Sequence, residues 1–454
     1  MSGSPSYARR DFLKTSLLAA ALPAVRLSVR GAPAAGPGPI RREVFVAPPK
    51  PGIAVEAASY YTRPTGVDLI SIHQLFTRSD TVETAFFRYS PDNGRTWSQS
   101  AGTPMGEKLP HGQRRRVPRA CVVDPTTGHL VHFWTEAVLP NDDPLEGMRE
   151  WLAFYSVSDD GGRTWFLSEE IIVEGGEYTP AHPMAGVWRE RSAVMIGDVA
   201  SQPVFLADGT LILPVEITPV GPDGNYFNPG GGYTYTNVAV LRGRWDDGRR
   251  RLVWNLSETI TIDPAISTRG LDEPTPAVLA DGRILLIMRG SNDRKPGVPG
   301  RRWISLSSDT GRTWTKPRPW TYTTGENFFS PASASQALRH SSGRLFWAGN
   351  ISPANPTGNR PRHPIVIGEI DARTGLLIKA SVRTVDDRAP SESVLLQLSS
   401  PCLREDRETG EIVLNLTRWG EHSAPVDLKT ADFKVLMARA YNWTAAAYLY
   451  HIPV

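Results

Sequence analysis

The residues that build disulfides and metal centres are scarce in this chain of 454 residues, which has only two cysteines. Cys121 and Cys402 both stand in apolar segments typical of strands. Free cysteine is commonly buried, so we predict two buried free thiols and no disulfide. No spacing of Cys or His matches a metal-binding motif, and we therefore expect neither a metal nor another cofactor.

The chain also has little excess charge and no long apolar run. Its 50 Lys and Arg nearly balance its 47 Asp and Glu, for a formal net charge of +3, which gives no case for nucleic-acid binding. The basic run Arg114 to Arg116 is short and typical of a solvated surface. No stretch of helical period is long enough for a helical domain, so an all-β fold is favoured.

An eight-residue motif, hereafter also called the phrase, occurs three times with the pattern S-x-D-x-G-x-T-W. Its copies are at Ser90–Trp97, Ser158–Trp165 and Ser307–Trp314. The Asp can bond the nearby backbone and close a turn, and the Gly can adopt a positive φ. The Thr and Trp would then begin an outgoing strand. We interpret the phrase as structural and not catalytic, and its recurrence indicates repeated supersecondary units.

A second repeat sets the number of these units. Six turn glycines are each followed by an apolar run: Gly66, Gly128, Gly209, Gly282, Gly343 and Gly410. Each interval between them has room for about four strands, which is one propeller blade. Degenerate copies of this motif occur at Asp246–Gly248 and Asp371–Gly375. The 40 Gly, 39 Pro and 13 Trp suit many tight turns and blade-to-blade packing. We predict a six-bladed β-propeller over residues 41–454.

The first residues predict export. Arg9 and Arg10 open a twin-arginine phrase, an apolar stretch follows from Leu17 to Leu22, and small residues stand at Ala32 to Ala35. Residues 1–40 are therefore interpreted as a twin-arginine signal peptide and linker of a bacterial protein exported already folded. We expect a periplasmic or extracellular location, with no membrane span after removal of the signal.

The repeated phrase resembles the Asp-box, and the chain resembles the Asp-box propellers, whose best-known members are the sialidases. The resemblance implies three arginines that hold the carboxylate of an acidic sugar in bidentate geometry. Arg116-Val117-Pro118 is similar to the family's R-I-P phrase, which indicates Arg116 as the first arginine. Arg289 matches the second, because Glu273 precedes it by sixteen residues through an Asp-Gly-Arg turn. Arg362 matches the third, with Arg360 as its rival.

Polar residues at strand ends supply further candidates. The residue seven or eight places after each turn glycine should emerge near the mouth of the central channel, where propellers bind ligands. These positions hold His73, Thr135, Glu136, Glu216, Arg289, Asn350, Thr417 and Arg418. Asn350 and Arg418 are predicted as additional substrate contacts.

The resemblance also implies a catalytic set, which the chain matches only in part. Glu273 is predicted as a base or as the activator of a nucleophile, and Glu136 as the acid, with Glu216 and Asp198 as further carboxylates. The family's nucleophilic tyrosine has no counterpart, because the expected strand reads Ser399-Ser400-Pro401-Cys402-Leu403. Three explanations stay open. A loop tyrosine replaces it (Tyr226, Tyr233 or Tyr235), the enzyme inverts without a nucleophile, or the propeller binds glycans without cleavage.

These features predict an exported glycoside hydrolase that releases a terminal acidic sugar, sialic acid or a uronic-type relative, from an acidic glycan. The alternative is a propeller that binds acidic glycans without cleaving them. A third possibility, a protein-scaffolding propeller, would show an exposed apolar patch at the channel mouth in place of an arginine cluster.

Overall fold

Six antiparallel sheets of four or five strands are arranged as the blades of a β-propeller in a computed structural model that describes residues 38–426 and 440–454. The predicted six-bladed, all-β architecture is confirmed. The named helical elements in those residues are short: the 3₁₀ turns Pro144–Glu146 and Lys379–Ser381 and the α-helical turn Gly147–Glu150. None of the helices in these two ranges is long and apolar enough to cross a membrane. The predicted signal peptide lies outside the described residues, apart from its last three.

The strands are numbered in chain order, beginning with β1 (Arg41–Val46). Blade 1 contains β2 (Ala54–Tyr61), β3 (Leu69–Arg78), β4 (Thr81–Ser90) and β5 (Thr103–Pro104). Blade 2 contains β6 (Gly106–Leu109), β7 (Gly112–Val123), β8 (Leu130–Leu139), β9 (Leu152–Ser158) and β10 (Leu167–Glu170). Blade 3 contains β11 (Val194–Met195), β12 (Val204–Phe205), β13 (Leu211–Ile217), β14 (Asn237–Asp246) and β15 (Arg251–Leu256). Blade 4 contains β16 (Asp272–Val278), β17 (Ile284–Arg289), β18 (Arg302–Ser307) and β19 (Arg318–Pro319). Blade 5 contains β20 (Gln336–Arg339), β21 (Leu345–Asn350), β22 (Ile365–Ile370) and β23 (Arg383–Asp386). Blade 6 contains β24 (Gln397–Glu405), β25 (Ile412–Trp419) and β26 (Ala447–Ile452), and β1 completes it.

Blade 6 joins the two ends of the propeller chain. Strand β1 pairs antiparallel with β26, with Arg41 opposite His451 and Val44 opposite Tyr448. The chain therefore enters blade 6 before it builds blade 1, and the ring is closed by backbone hydrogen bonds between residues about 400 positions apart.

The six turn glycines lie where the repeat predicts them. Each stands between the inner strand of its blade and the next strand, and Gly66 and Gly282, for example, have φ values of 83° and 84°. A Cβ is disfavoured at such an angle, which explains why the turn selects glycine. The apolar run after each glycine forms the strand that pairs with the inner strand of the blade (β3, β8, β13, β17, β21 or β25), and the residues of these strands are mostly buried.

The Asp-box is a turn closed by its own residues, and it follows β4 in blade 1, β9 in blade 2 and β18 in blade 4. In blade 2, the hydroxyl of Ser158 donates to Asp160 at 2.8 Å and accepts from the backbone of Gly162 at 2.7 Å. Asp160 in turn accepts from the backbone and hydroxyl of Thr164 at 2.9 and 2.7 Å. The structural interpretation is supported, with one difference. The outgoing strand β10 begins at Leu167, after the Trp, because the Thr is engaged in closing the turn.

The hydrophobic core lies between neighbouring blades. Trp254 packs between blades 2 and 3, and Trp320 and Trp347 pack between blades 4 and 5, all at most 1% exposed. Cys121 and Cys402 are buried and free in one core cluster at blades 1, 2 and 6, as predicted. Together these clusters hold the inner strands around a common axis.

Candidate functional site

Three inner strands carry the same irregularity. Their pairing with the second strand shifts between Pro118 and Cys121 in blade 2, Asp272 and Thr275 in blade 4, and Ser399 and Cys402 in blade 6. Bulges of this kind re-aim side chains and are common beside active sites. The first residue inside the bulge is Arg119, Glu273 or Ser400. Glu273 and Ser400 have φ values of 43° and 64°, a conformation that non-glycine residues seldom adopt.

Glu273 and Arg289 form the centre of a charged group that we call the central cluster. The cluster consists of Glu56, Arg119, Asp198, Glu216, Asp272, Glu273, Arg289, Arg362 and Ser400. Arg289 contacts the Glu273 carboxylate at 2.5 Å and the Asp272 carboxylate at 3.2 Å, and its side chain is 6% exposed. Burial opposes ionisation of Glu273, but Arg289 and Arg362 outweigh it and lower the pKa of Glu273 below its ordinary value. Glu273 is therefore a carboxylate at neutral pH.

Glu216 is held against the same bulge from blade 3. Its Oε1 accepts the backbone N–H of Glu273 at 2.6 Å. Burial, with the carboxylates of Asp272 and Glu273 nearby, raises the pKa of Glu216 to about 8. Glu216 thus supports the unusual backbone of Glu273, and carries a proton at neutral pH.

Asp198 faces the cluster from blade 3, opposite Ser400 of blade 6. The Ser400 hydroxyl donates to Oδ2 of Asp198 at 2.5 Å, whereas Oδ1 is buried and has no hydrogen-bond partner among the described residues. Burial, and then the charge of Glu273, raise the pKa of Asp198. Glu56 lies near Asp198 on the inner strand of blade 1, and burial followed by the Asp198 charge raises its pKa as well. The pKa values of Asp198 and Glu56 are therefore raised, whereas the pKa of Glu273 is lowered.

Arg119 and Arg362 are the cations on either side of this group. Arg119 donates to the carbonyl of Ile196 at 2.9 Å, and its charge acts on both Glu56 and Asp198. Arg362 donates to the carbonyl of Ala332 at 3.0 Å and to the Gln397 side chain at 3.1 Å. No carboxylate of the described residues pairs with it, and burial together with Arg289 lowers the pKa of Arg362 to about 10. An anionic ligand would compensate this charge.

Most of the propeller matches a known protein family in sequence. Residues 106–400, well over half of the chain, match the family described as BNR repeat-like domain. The chain belongs to that family. No curated protein matches this BNR propeller in sequence.

Solved structures share the fold of this BNR propeller at low identity. A protein of unknown function from Dyadobacter fermentans DSM 18053 is 14% identical, with a TM-score of 0.53, covering 91% of this chain and 99% of its own. The Hadza microbial sialidase Hz136 is 17% identical, with a TM-score of 0.53, over 80% of this chain and 63% of its own. A Trypanosoma rangeli sialidase mutant displaying trans-sialidase activity is 14% identical, with a TM-score of 0.54, over 92% and 60%. The chain therefore spans less than two thirds of either sialidase.

The BNR propeller brings together only part of the predicted site. Glu273, Glu216, Arg289 and Arg362 lie in the central cluster. Arg116 and Glu136 instead pair with each other at 2.8 Å, opposite one another in β7 and β8. None of the described contacts joins them to Glu273 or Arg289. The reason lies in the register, because Arg119, and not Arg116, occupies the bulge position that corresponds to Glu273.

Asn350 and Arg418 have internal partners in this BNR propeller. The Asn350 amide donates to the carbonyls of Pro364 and Leu398, each at 2.9 Å, and its side chain is buried. Arg418 pairs with Asp386 and Glu392 and lies 3.4 Å from Glu421. These contacts give both residues partners within the fold, and their roles as substrate contacts stay predictions.

The three loop tyrosines are not held by a base of the central cluster. The hydroxyl of Tyr226 accepts the backbone N–H of Tyr235 at 2.8 Å, and the hydroxyl of Tyr235 donates to Ile262 at 3.1 Å. Tyr233 is 52% exposed, and Arg269 lies 6.0 Å from its ring centroid. Tyr441, which the sequence did not single out, lies beside Arg362, where its hydroxyl accepts from Gln397 at 3.4 Å.

Arg119, Glu56 and Ser400 are members of the cluster that sequence reasoning did not identify. A signal for two of them exists, because Arg119 and Ser400 each stand two residues before a cysteine at comparable places in their blades. Within residues 38–426 and 440–454, no group of three or more His, Cys, Asp or Glu side chains is placed to hold a metal ion. The side chains of the cluster offer carboxylate, guanidinium and hydroxyl groups.

Proposed function

We propose that this protein is a glycoside hydrolase that releases a terminal acidic sugar, sialic acid or a uronic-type relative, from a glycan. The feature that supports this most is the placement of Glu273, Asp198 and Glu216 in one buried cluster, where their pKa values are shifted in opposite directions. Arg289 and Arg362 lower the pKa of Glu273, whereas burial raises the pKa values of Asp198 and Glu216. Pairs of carboxyl groups with opposed protonation states are the hallmark of acid–base hydrolysis of glycosides.

Arg362 supplies the selectivity for an acidic sugar. Its guanidinium has no carboxylate partner in the described chain and lies close enough to Arg289 for their charges to interact. A substrate carboxylate would accept hydrogen bonds from Arg362 in bidentate geometry and offset this repulsion. Arg289 already bridges Asp272 and Glu273, so its role is to hold the base.

The reaction can proceed without a tyrosine. Glu273 takes a proton from water, the water oxygen forms a bond to the anomeric carbon, and the glycosidic C–O bond breaks. Asp198 gives its proton to the leaving oxygen, so that charge and atoms balance. Asp198 replaces Glu136 as the acid in this proposal, because Asp198 lies close enough to Glu273 for their charges to interact, whereas Glu136 pairs with Arg116. Fold similarity to sialidases is consistent with this substrate class.

The test is the release of the aryl group from a panel of aryl glycosides of sialic and uronic acids. We expect Glu273→Gln and Asp198→Asn each to lower kcat about 100-fold or more. Arg362→Ala should lower kcat/KM about 10- to 100-fold for acidic glycosides and much less for neutral ones. Glu136→Gln decides between the two candidate acids, and Glu369→Gln, whose partner is Arg344 on an exposed surface, is the matched control.

Binding of acidic glycans without cleavage is the second candidate. The observation that favours it is Ser400, which stands at the bulge where the resemblance implies a tyrosine and donates its hydroxyl to Asp198. A purified protein that binds acidic oligosaccharides in calorimetry, loses this affinity in Arg362→Ala and releases no aryl group from any acidic glycoside would establish this function in place of hydrolysis.

A further inference from the structure

Arg302 is a buried cation with few partners. Its side chain is fully buried, and its Nη2 donates to the backbone oxygen of Ser333 at 2.6 Å and to the Ser333 hydroxyl at 3.0 Å. Its Nε and Nη1 have no hydrogen-bond partner, and no carboxylate in the described chain forms an ion pair with it. A buried charge without compensation is costly, so an apolar side chain would be expected at such a position.

The location of Arg302 connects it to the central cluster. Asp272, Arg289 and Arg302 are directly opposite one another on β16, β17 and β18, so their side chains form a row on one face of blade 4. On the side of blade 5, the Trp347 ring lies over the guanidinium, with its centroid at 5.4 Å. The positive charge of Arg302 is therefore flanked by an aromatic core on one side and by the cluster on the other.

The charge of Arg302 persists at neutral pH. Burial lowers the pKa of Arg302 to about 9, and the negative charge of Glu273 is the one influence that acts against this decrease. By reciprocity, Arg302 favours the ionised form of Glu273. In an apolar interior, such an interaction acts over a longer distance than it would in water.

We infer that Arg302 is a positioning residue for Glu273: it stands behind Arg289 in the row Asp272, Arg289 and Arg302, its uncompensated charge adds to that of Arg289 at the Glu273 carboxylate, and repulsion favours the Arg289 conformer that faces Asp272 and Glu273. The chain retains this charge for the site and not for the stability of the fold. The inference rests on the proposed role of Glu273 as the ionised carboxylate. The charged and titratable groups that surround Glu273 are Glu56, Asp198, Glu216, Arg269, Asp272, Arg289, Arg302 and Arg362.

The experiment compares Arg302→Met with Arg302→Lys and with Arg404→Met as a matched control. Arg404 is also a buried arginine stacked near an aromatic ring, but it has a carboxylate, Asp406, at 3.8 Å and lies in blade 6. The pKa of Glu273 is measured by ¹³C NMR of the glutamate carboxyl groups in the substrate-free protein, with its signal assigned from its loss in Glu273→Gln. The melting temperature is measured at pH 7 by calorimetry.

We expect Arg302→Met to raise the pKa of Glu273 by about one unit and to leave the melting temperature unchanged or higher. Arg302→Lys should restore most of the wild-type pKa of Glu273, and Arg404→Met should lower the melting temperature without altering that pKa. An unchanged Glu273 titration in Arg302→Met would overturn the inference, as would a loss of melting temperature equal to that of Arg404→Met. Because these measurements use no substrate, they do not depend on whether the protein hydrolyses glycosides. The role of Arg302 and the proposed hydrolase activity are therefore tested independently.

Discussion

Glu273 is the residue at which backbone strain and charge coincide. Its φ of 43° is one that a non-glycine residue adopts at an energetic cost, and its Oε2 is buried without a hydrogen-bond partner in the described chain. Such residues persist only where the surrounding structure over-determines them. Here the Glu216 carboxyl accepts the backbone N–H, and Arg289 holds the side chain.

The protonation of Glu216 gives a prediction about pH. The pKa of Glu216 rises from 4.5 to about 8 on folding, so the folded chain binds one more proton than the unfolded chain between these values. Its contribution to stability is complete below pH 4.5 and is lost as the pH rises through 8. The amide of Glu216→Gln resembles the protonated acid and can still accept the backbone N–H of Glu273. The melting temperature of this variant should therefore fall less between pH 5 and pH 8 than that of the wild type.

Calorimetry at unit pH steps provides the measurement. The variant and the wild type should melt within about a degree of each other at pH 5, and the variant should melt a few degrees higher at pH 8. Some pH dependence remains in the variant, because the pKa values of Glu56 and Asp198 are raised too. Parallel curves for the two proteins from pH 5 to pH 8 would contradict the assigned protonation of Glu216.

The Asp-box is the element whose structure follows most directly from its residues. In the blade 2 copy, all the bonds that close the turn join residues at most four positions apart. Local bonds of this kind form in the same way in every blade, which is why the phrase could be interpreted without tertiary information.

Asp160→Ala should therefore destabilise the fold and leave the site intact. It removes the acceptor of two bonds from Thr164 and one from Ser158, and we expect a loss of about 1–2 kcal/mol in the free energy of unfolding. Urea denaturation provides the measurement. Asp159→Ala, in the same turn, removes an exposed side chain with no described hydrogen bond and should cost less than about 0.5 kcal/mol. Equal losses in the two variants would argue against the role of the Asp-box aspartate.

The inner-strand bulges are elements that local sequence did not predict. Pro118, Glu273 and Ser400 lie in strands of different composition, and only the pairing with the second strand shows that each strand shifts register at the same level. Without that register, Arg116 appeared to be the equivalent of the first family arginine. The register places Arg119, and not Arg116, at the bulge, and Arg116 pairs with Glu136.

Closure of the ring is a property of the whole molecule, and Arg418 lies where blade 5, blade 6 and β1 meet. Arg418 of blade 6 pairs with Asp386 of blade 5 and with Glu392, and Asp386 also contacts Arg42 of β1 at 3.1 Å. The Arg418 side chain is 5% exposed, and removing it would take the arginine partner from Glu392 and Glu421 and leave Arg42 as the one arginine paired with Asp386 among the described residues.

Arg418→Met should lower the free energy of unfolding by about 3–5 kcal/mol, the usual cost of breaking a buried ion pair from one side. Arg41→Met is the control on the same blade, because the Arg41–Glu411 pair is exposed and should contribute at most about 1 kcal/mol. Both values come from urea denaturation. If Arg418→Met lowers the free energy of unfolding no more than Arg41→Met does, Arg418 does not contribute to closure of the ring.

The sequence by itself determined the number of blades, their phase along the chain, and the places of Glu273, Arg289 and Arg362. It could do so because turns and strand alternation depend on residues a few positions apart, and because Glu273 and Arg289 flank one such turn, at Gly282. Tertiary structure alone decided which charges meet. The hydroxyl of Ser400 reaches Asp198 across 202 residues, and burial where the blades meet, which no local pattern encodes, raises the pKa values of Asp198 and Glu216.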